Sequence, residues 1–353
     1  MGRERPIFQP NREGSCMDRV DKVFAFADRS GRGLEFGPSY RPLAPKSAGF
    51  DVVTVDHTTR EELVKKYRAY ERTQEQLDAI EEVDLIWDGG SFADLVDEKF
   101  DFIIASHFIE HTVDMIGFLQ DCERMLKPGG VLTLVVPDKR FCFDMFQPLT
   151  TVGDVIDGHL SDLQYHPAGA VVDHFAYTST RGGTGAWGPK SRAPIKLNET
   201  DLAPSTYKVE RGSEQAEYID VHRWKFTPSS FTLLMQDLRD LGYLQMAEAG
   251  GFGTTGCEFF VTLTTDARKI ERRDRFELLL KTEFELRSVR IPELDSLDIN
   301  PNPQTTRIAR LQKKVAQLKE ENRELKRSTS WRVTKPIRKA SKAAKSARRR
   351  VSG

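Results

Sequence analysis

The sequence predicts an α/β fold: a mostly parallel, seven-stranded sheet with helices on both faces, broken by an insertion and followed by a C-terminal coiled coil. Three observations lead there. Between residues 33 and 138 short, continuously apolar runs alternate with longer amphipathic stretches, as in strands buried on both faces with helices between them. Residues 141–220 interrupt that rhythm with glycine, proline, histidine and aromatic side chains. Residues 305–328 repeat apolar side chains on a seven-residue period.

The elements follow in order. Residues 1–32 form an N-terminal arm with a covering helix over 17–27. Strands are expected at 33–37 (GLEFG), 51–56 (DVVTVD), 84–87 (DLIW), 100–105 (FDFIIA) and 131–136 (VLTLVV). Helical spacing runs over 60–80 and 113–126, where Met115, Phe118, Leu119, Cys122 and Met125 recur at three- and four-residue intervals. The Lys-Pro-Gly-Gly at 127–130 supplies the stop. A stretch as long as 141–220 does not stay structureless in a compact domain, so it reads as a lid or binding insertion with short elements. A helix over 227–241 follows, with Thr227 as N-cap and Pro228 at the first helical position. Residues 243–247 and 258–265 then close the sheet as an antiparallel pair, which ends the domain begun at 33.

Residues 266–304 hold a charged helix (267–289) and a Pro/Asn/Asp-rich linker. In the heptads, Ile308, Val315 and Asn322 share one position and Leu311, Leu318 and Leu325 the other. β-Branched side chains with one asparagine at a, and leucine at d, favour a parallel two-stranded coil in fixed register. The expected partner is a second copy, or the coil of a related protein. The alternative is a solvated single helix, since the repeat is only three heptads long.

The chain has 353 residues, 39% hydrophobic and 30% charged, the balance of a soluble globular protein. Its 53 basic and 53 acidic side chains cancel, but not evenly: residues 331–353 carry nine Lys or Arg and no acid. The tail therefore suits an anionic surface or partner, and the body is no general nucleic-acid grip. Cys16, Cys122, Cys142 and Cys257 form no CxxC pair, which argues against a zinc site or disulfide framework and fits a reducing compartment. No apolar run reaches membrane-spanning length and the N-terminus lacks a hydrophobic leader, so the expected location is cytoplasmic.

Three strand ends carry binding chemistry. Glu35-Phe36-Gly37-Pro38-Ser39 sits at the first strand-to-helix turn, where small side chains let a ligand approach the backbone. Asp56 ends the second strand about twenty residues on, placed to accept from ribose hydroxyls, and His57 follows it. Trp87-Asp88-Gly89 follows the third strand, with Asp88 placed to accept from an adenine amino group. Each aspartate alone has the plainer reading of a cap or solvated turn; at successive strand ends they converge on one ligand.

On these residues, 33–138 resembles a class I, Rossmann-like S-adenosylmethionine (SAM)-dependent methyltransferase. Glu35-x-Gly37 stands for its first motif, Asp56 for its ribose acid and Asp88 for its adenine contact. The segment 100–111, with Ser106-His107 and then Ile109-Glu110-His111, matches the fourth strand and the "EH" after it, and Leu126-Lys127-Pro128-Gly129-Gly130 matches the block before the fifth. The resemblance implies SAM as cofactor and makes 141–220 an acceptor-binding insertion. Gly37-Pro38-Ser39 departs from the family's GxGxG, and Pro38 has no N–H to offer. That departure leaves open a non-catalytic adaptor that keeps the fold. Residues 328–338, Ser-x-Ser-Trp-Arg-x-Thr-x-Pro-x-Arg, resemble an element of bacterial surface-polysaccharide glycosyltransferases and methyltransferases, as does 138–144. This implies O-methylation of a glycan or sugar acceptor and, through the basic tail, attachment to a partner enzyme or the inner face of the membrane. A small metabolite or a lipid quinone is the alternative acceptor.

Methyl transfer is an in-line displacement, so alignment is the enzyme's main task. A sugar hydroxyl also needs a base, usually histidine, or a metal. His107 ends the fourth strand beside the cofactor cleft, and His111 reads as structural. His174, beside Asp173, and His222, two residues from Asp220, are the expected catalytic bases, with Asp220 orienting His222 if that stretch is extended. The plainer reading is that these pairs stitch the insertion to the core. No metal motif is expected, although these groups with Asp138 offer Asp/His ligands.

Overall fold

The computed structural model describes residues 17–200, 218–266, 272–296 and 303–327. The chain divides into two units, Met1–Pro292 and Glu293–Gly353. In the first, β1 (Gly33–Phe36), β2 (Val52–Asp56), β3 (Leu85–Ile86), β4 (Phe100–Ser106) and β5 (Leu126–Pro137) are parallel. A small hairpin, β6 (Ser179–Arg181) with β7 (Ile195–Leu197), stands apart, and β8 (Ala247–Thr255) and β9 (Glu258–Thr264) complete the main sheet. The seven-stranded order is β3-β2-β1-β4-β5-β9-β8, with the last two antiparallel. The α/β class and mostly parallel sheet are those expected from the sequence.

The strands form here because both faces are covered. All four residues of β1 and all five of β2 are buried. Along β4, Ile103 and Ala105 enter one core while Phe102 and Ile104 enter the other, the alternation of an extended chain. On the larger face lie α4 (Met115–Met125) and α7 (Pro228–Asp240), which contribute Met115, Phe118 and Leu119, and Phe231, Leu234 and Leu238. Burying each such side chain stabilises by roughly 1.5–3 kcal/mol. Asp114 caps α4 by accepting from the N–H of Gly117 at 2.9 Å. The opposite face is covered by α1 (Arg19–Val23) and the turn after it, whose Phe24 meets Phe102 edge-on at 5.3 Å.

Several boundaries differ from expectation. The expected helix over 60–80 is two, α2 (Arg60–Ala69) and α3 (Gln74–Asp78), because Glu71 turns left-handed and Thr73 opens a new capping box. α4 stops at Met125, but Lys127–Gly130 is a bulge inside β5, not a loop before it: pairing slips between Phe100 and Phe102, and a Cβ on Gly130 would lie 3.0 Å from the carbonyl oxygens of Lys127 and Phe100. β8 begins at Ala247, whereas the expected strand spans 243–247; Leu244 and Met246 are core side chains in the connection. The insertion contains α5 (Val152–Leu160), α6 (Ala168–Tyr177) and the β6–β7 hairpin. α8 (Arg275–Arg287) is shorter than the expected charged helix, whose residues 267–271 lie outside the described ones.

In the second unit α9 (Pro303–Arg327) is one helix, and Leu311, Val315 and Leu318 are about half exposed along it. The basic tail and its Ser-x-Ser-Trp-Arg element lie outside the described residues. Among the described residues no helix is long and apolar enough to cross a membrane.

Candidate active site

β1 lies between β2 and β4, so the chain runs outward to β3 on one side and to β5 on the other. Such a reversal opens a crevice at the carboxyl ends of the strands. Backbone bonds place the candidate residues there together: Gly37 N–H donates to Val55 at 2.8 Å, Trp87 to Asp56 at 2.9 Å and His107 to Val135 at 2.9 Å. Gly37 has φ 54°, and a side chain on it would meet only the Phe108 ring at 3.6 Å, leaving the turn open to a ligand. Ser39 is also left-handed, at φ 53°. Pro38, between them, fixes the turn.

The acids at this edge divide their work. Glu35 is buried and accepts from the N–H groups of Leu43 (2.8 Å) and Ala44 (3.0 Å), so it acts on the crevice through the loop it fixes. Burial pushes its carboxyl up to about 7 against those two bonds. Asp56 is also buried; its Oδ1 takes both the backbone N–H (2.8 Å) and Nδ1 (2.5 Å) of His57, while Oδ2 makes no hydrogen bond among the described residues. Asp88 and Gly89 are exposed beyond β3. Trp87 stacks on Phe92 at 4.5 Å, and Phe92 packs on Phe36, Phe108 and Phe118 as an aromatic floor. Arg19 ties Ser106 Oγ (2.8 Å) and Glu258 (2.8 Å) together, and Glu258 also meets His107 Nε2 at 2.8 Å.

Beside this edge lies a second cluster. Glu110, in the single turn after β4, is completely buried and, among the described residues, has no hydrogen-bond partner on either carboxylate oxygen. Its Oε1 faces His107 Nδ1 (3.5 Å), His111 Nε2 (3.8 Å) and His222 Nε2 (3.9 Å). The outer nitrogens are paired with carboxylates: His111 Nδ1 with Asp220 at 2.7 Å and His222 Nδ1 with Asp144 at 2.5 Å. Burial opposes charge on His111, but Asp220 and Glu110 hold its imidazolium above the ordinary value. Tyr67, on α2, feels the charge of both clusters. Burial, then the nearby Asp56 and Asp220 carboxylates, push its phenol up against the effect of Ser39.

A family model described as a methyltransferase domain matches residues 8–187, more than half of the chain. The chain belongs to that methyltransferase family. At the edge described above, the turn at Gly37 is uncovered and Asp56 Oδ2 makes no hydrogen bond among the described residues. A 42-residue stretch, 12% of the chain, is 45% identical to the human mitochondrial ubiquinone biosynthesis O-methyltransferase and covers 11% of that protein. Among solved structures, the glycopeptide N-methyltransferase MtfA is 15% identical over 70% of this chain and 90% of its own, with a TM-score of 0.34. The CcbJ methyltransferase of Streptomyces caelestis is 21% identical, with a TM-score of 0.24, over 34% of this chain and 48% of its own.

In the methyltransferase, residues 218–225 have no regular secondary structure, so the expected Asp220–His222 pair does not form: Asp220 turns to His111, and His222 to Asp144. Asp173 does not orient His174. The ring's Nδ1 accepts from the backbone N–H of His222 at 3.2 Å, and burial lowers its pKa to about 4. Asp138 belongs to neither cluster; it is buried on Arg140 (2.6 Å) and Thr254 (2.5 Å), which removes it from any metal set. Sequence reasoning passed over Glu110 and Asp144 as acting groups and read His111 as structural. Both acids lay in segments already singled out, the "EH" after the fourth strand and the Asp144 that ends 138–144.

Proposed function

We propose that this methyltransferase carries the methyl group of SAM to a hydroxyl of a glycan or sugar acceptor. The carrying observation is the buried Asp144–His222 pair beside the cofactor edge, with Nε2 of His222 turned inward toward Glu110. SAM, when bound, supplies a methyl group made electrophilic by its sulfonium. Gly37, Pro38 and Ser39 receive it against the backbone, Asp56 and His57 face its ribose, Asp88 and Gly89 its base, and Ser106 and His107 close the edge. Asp144 keeps the proton of His222 on Nδ1, which leaves the Nε2 lone pair for the proton of an acceptor hydroxyl. Glu110 stabilises the imidazolium as it forms. His174 positions the backbone of His222, and Asp220 sets His111 at the rim.

The glycan assignment draws on the insertion and on the tail element at 328–338. A quinone or small-metabolite acceptor is the second reading, favoured by the short likeness to the ubiquinone O-methyltransferase. Labelled SAM offered with surface-polysaccharide extract and with polyhydroxylated quinone precursors separates them: label in the polysaccharide is expected, and label only in the quinone fraction overturns the glycan reading. The half-exposed Leu311, Val315 and Leu318 of α9 suit a second copy in a parallel coil, and the tail suits an anionic membrane surface or partner enzyme.

A further inference from the structure

A buried carboxylate without donors is strongly unfavourable unless a cation meets it. Glu110 is in that position, yet three imidazole nitrogens surround its Oε1 at 3.5–3.9 Å, outside hydrogen-bond range. Two donors each ~2.0–2.1 Å from a shared zinc-like ion lie ~3.4 Å apart. Oε1 stands 3.8 Å from Nε2 of His111 and 3.9 Å from Nε2 of His222, and one ligand atom of each of the three residues falls within 4.8 Å of the other two, so an inward movement would close the donors on an ion. The outer nitrogen of His222 is already hydrogen-bonded to Asp144, and that of His111 lies 2.7 Å from Asp220 as an ion pair without hydrogen-bond geometry. An imidazole giving its Nδ1–H to a carboxylate presents the Nε2 lone pair inward, the arrangement found behind metal-binding histidines.

We propose that Glu110 Oε1, His111 Nε2 and His222 Nε2 bind one divalent first-row ion of the zinc class, with Asp220 and Asp144 fixing the two imidazoles from behind. Two histidines and one carboxylate leave a coordination position for an oxygen of the acceptor. This rests on the reading of the same cluster given above and changes one role: with His222 Nε2 on the ion, the ion would polarise the acceptor hydroxyl and its proton would pass to His107 Nδ1, 3.5 Å from Glu110 Oε1. Imidazole donors favour zinc, cobalt(II) or iron(II) over magnesium and calcium, which prefer all-oxygen shells.

The test uses the full chain, stripped by chelator and titrated with Co²⁺. One equivalent should bind with the visible absorption of an imidazole-ligated ion, be displaced by Zn²⁺ and resist millimolar Mg²⁺. His111→Ala and His222→Ala should abolish the band, whereas His159→Ala, whose ring pairs with Asp114 away from the cluster, should keep it. Asp220→Asn leaves all three donors in place and should weaken binding about 10–100-fold, a reading that survives if a ligand variant fails to fold. Absence of stoichiometric Co²⁺ binding in the parent, or an unchanged band in folded His222→Ala, overturns the site. Methyl transfer is scored separately. Full transfer to polysaccharide by the metal-free chain removes the ion and leaves the glycan reading, while stoichiometric Co²⁺ without labelled glycan does the reverse.

Discussion

Asp144 Oδ2 and His222 Nδ1 meet at 2.5 Å although they stand 78 positions apart, so the two ends of the insertion are clasped together. Burial works to raise the Asp144 carboxyl, but His222, Lys225 and His174 hold it below the ordinary carboxylate range. Asp144 therefore stays a carboxylate and fixes the imidazole.

Asp144→Asn removes the charge while conserving shape. The expected result is a fall in kcat of about 10²–10⁴-fold with SAM affinity unchanged, because no cofactor-facing residue touches Asp144. Single-turnover assays and calorimetry measure the two quantities. Loss of SAM binding together with turnover would instead make the pair a scaffold for the whole crevice.

Asp56→Ala addresses the other side. One charged hydrogen-bond acceptor at the ribose is worth about 1.5–3 kcal/mol, so SAM affinity should drop about 10–100-fold. His222→Ala should leave that affinity unchanged in the same titration. Equal losses in both variants would contradict the division into a cofactor edge and an acceptor cluster.

Glu35 gives a pH signature. Its folded value, about 7, lies above the ordinary 4.5, so between these the folded chain keeps a proton that the unfolded chain releases. Stability from this group is full below pH 4.5 and is lost as pH rises through 7, by at most ~3 kcal/mol. In urea unfolding, Glu35→Gln should lack this fall, so the parent loses stability relative to the variant as pH rises. Parallel pH curves for the two proteins would refute it.

For α9, the half-exposed Leu311 and Leu318 should be interfacial in a parallel dimer. Replacing both by asparagine, or truncating after Asp298, should convert a dimer to a monomer in sedimentation. An unchanged mass would show that the helix does not join two copies.

The sheet was legible because strands buried on both faces leave runs such as VVTV and FIIA that few other structures tolerate. The placing of Gly37, Asp56 and Asp88 at one edge was legible for a related reason: each lies at or just beyond the carboxyl end of a strand, and parallel strands deliver such positions to one edge. β8 was displaced in the reading because its Gly250 and Gly251 hide the strand signal; a Cβ at Gly250 would strike the Phe26 ring at 2.3 Å. The acceptor cluster was only half legible. Local spacing suggested Asp220 with His222, but an irregular segment has no fixed side-chain period, and the true partners come from other segments at 111 and 144. Long-range pairing of this kind leaves no local trace in the chain.

The clasp at the insertion has an evolutionary corollary. Gly37 and Asp56 lie at the carboxyl ends of the first two strands of the sheet, whereas Asp144, Asp220 and His222 come from the borders of one interpolated stretch. An exchange of that stretch would therefore leave the strand ends carrying Gly37 and Asp56 in place while replacing every partner of His111 and His222 that it supplies.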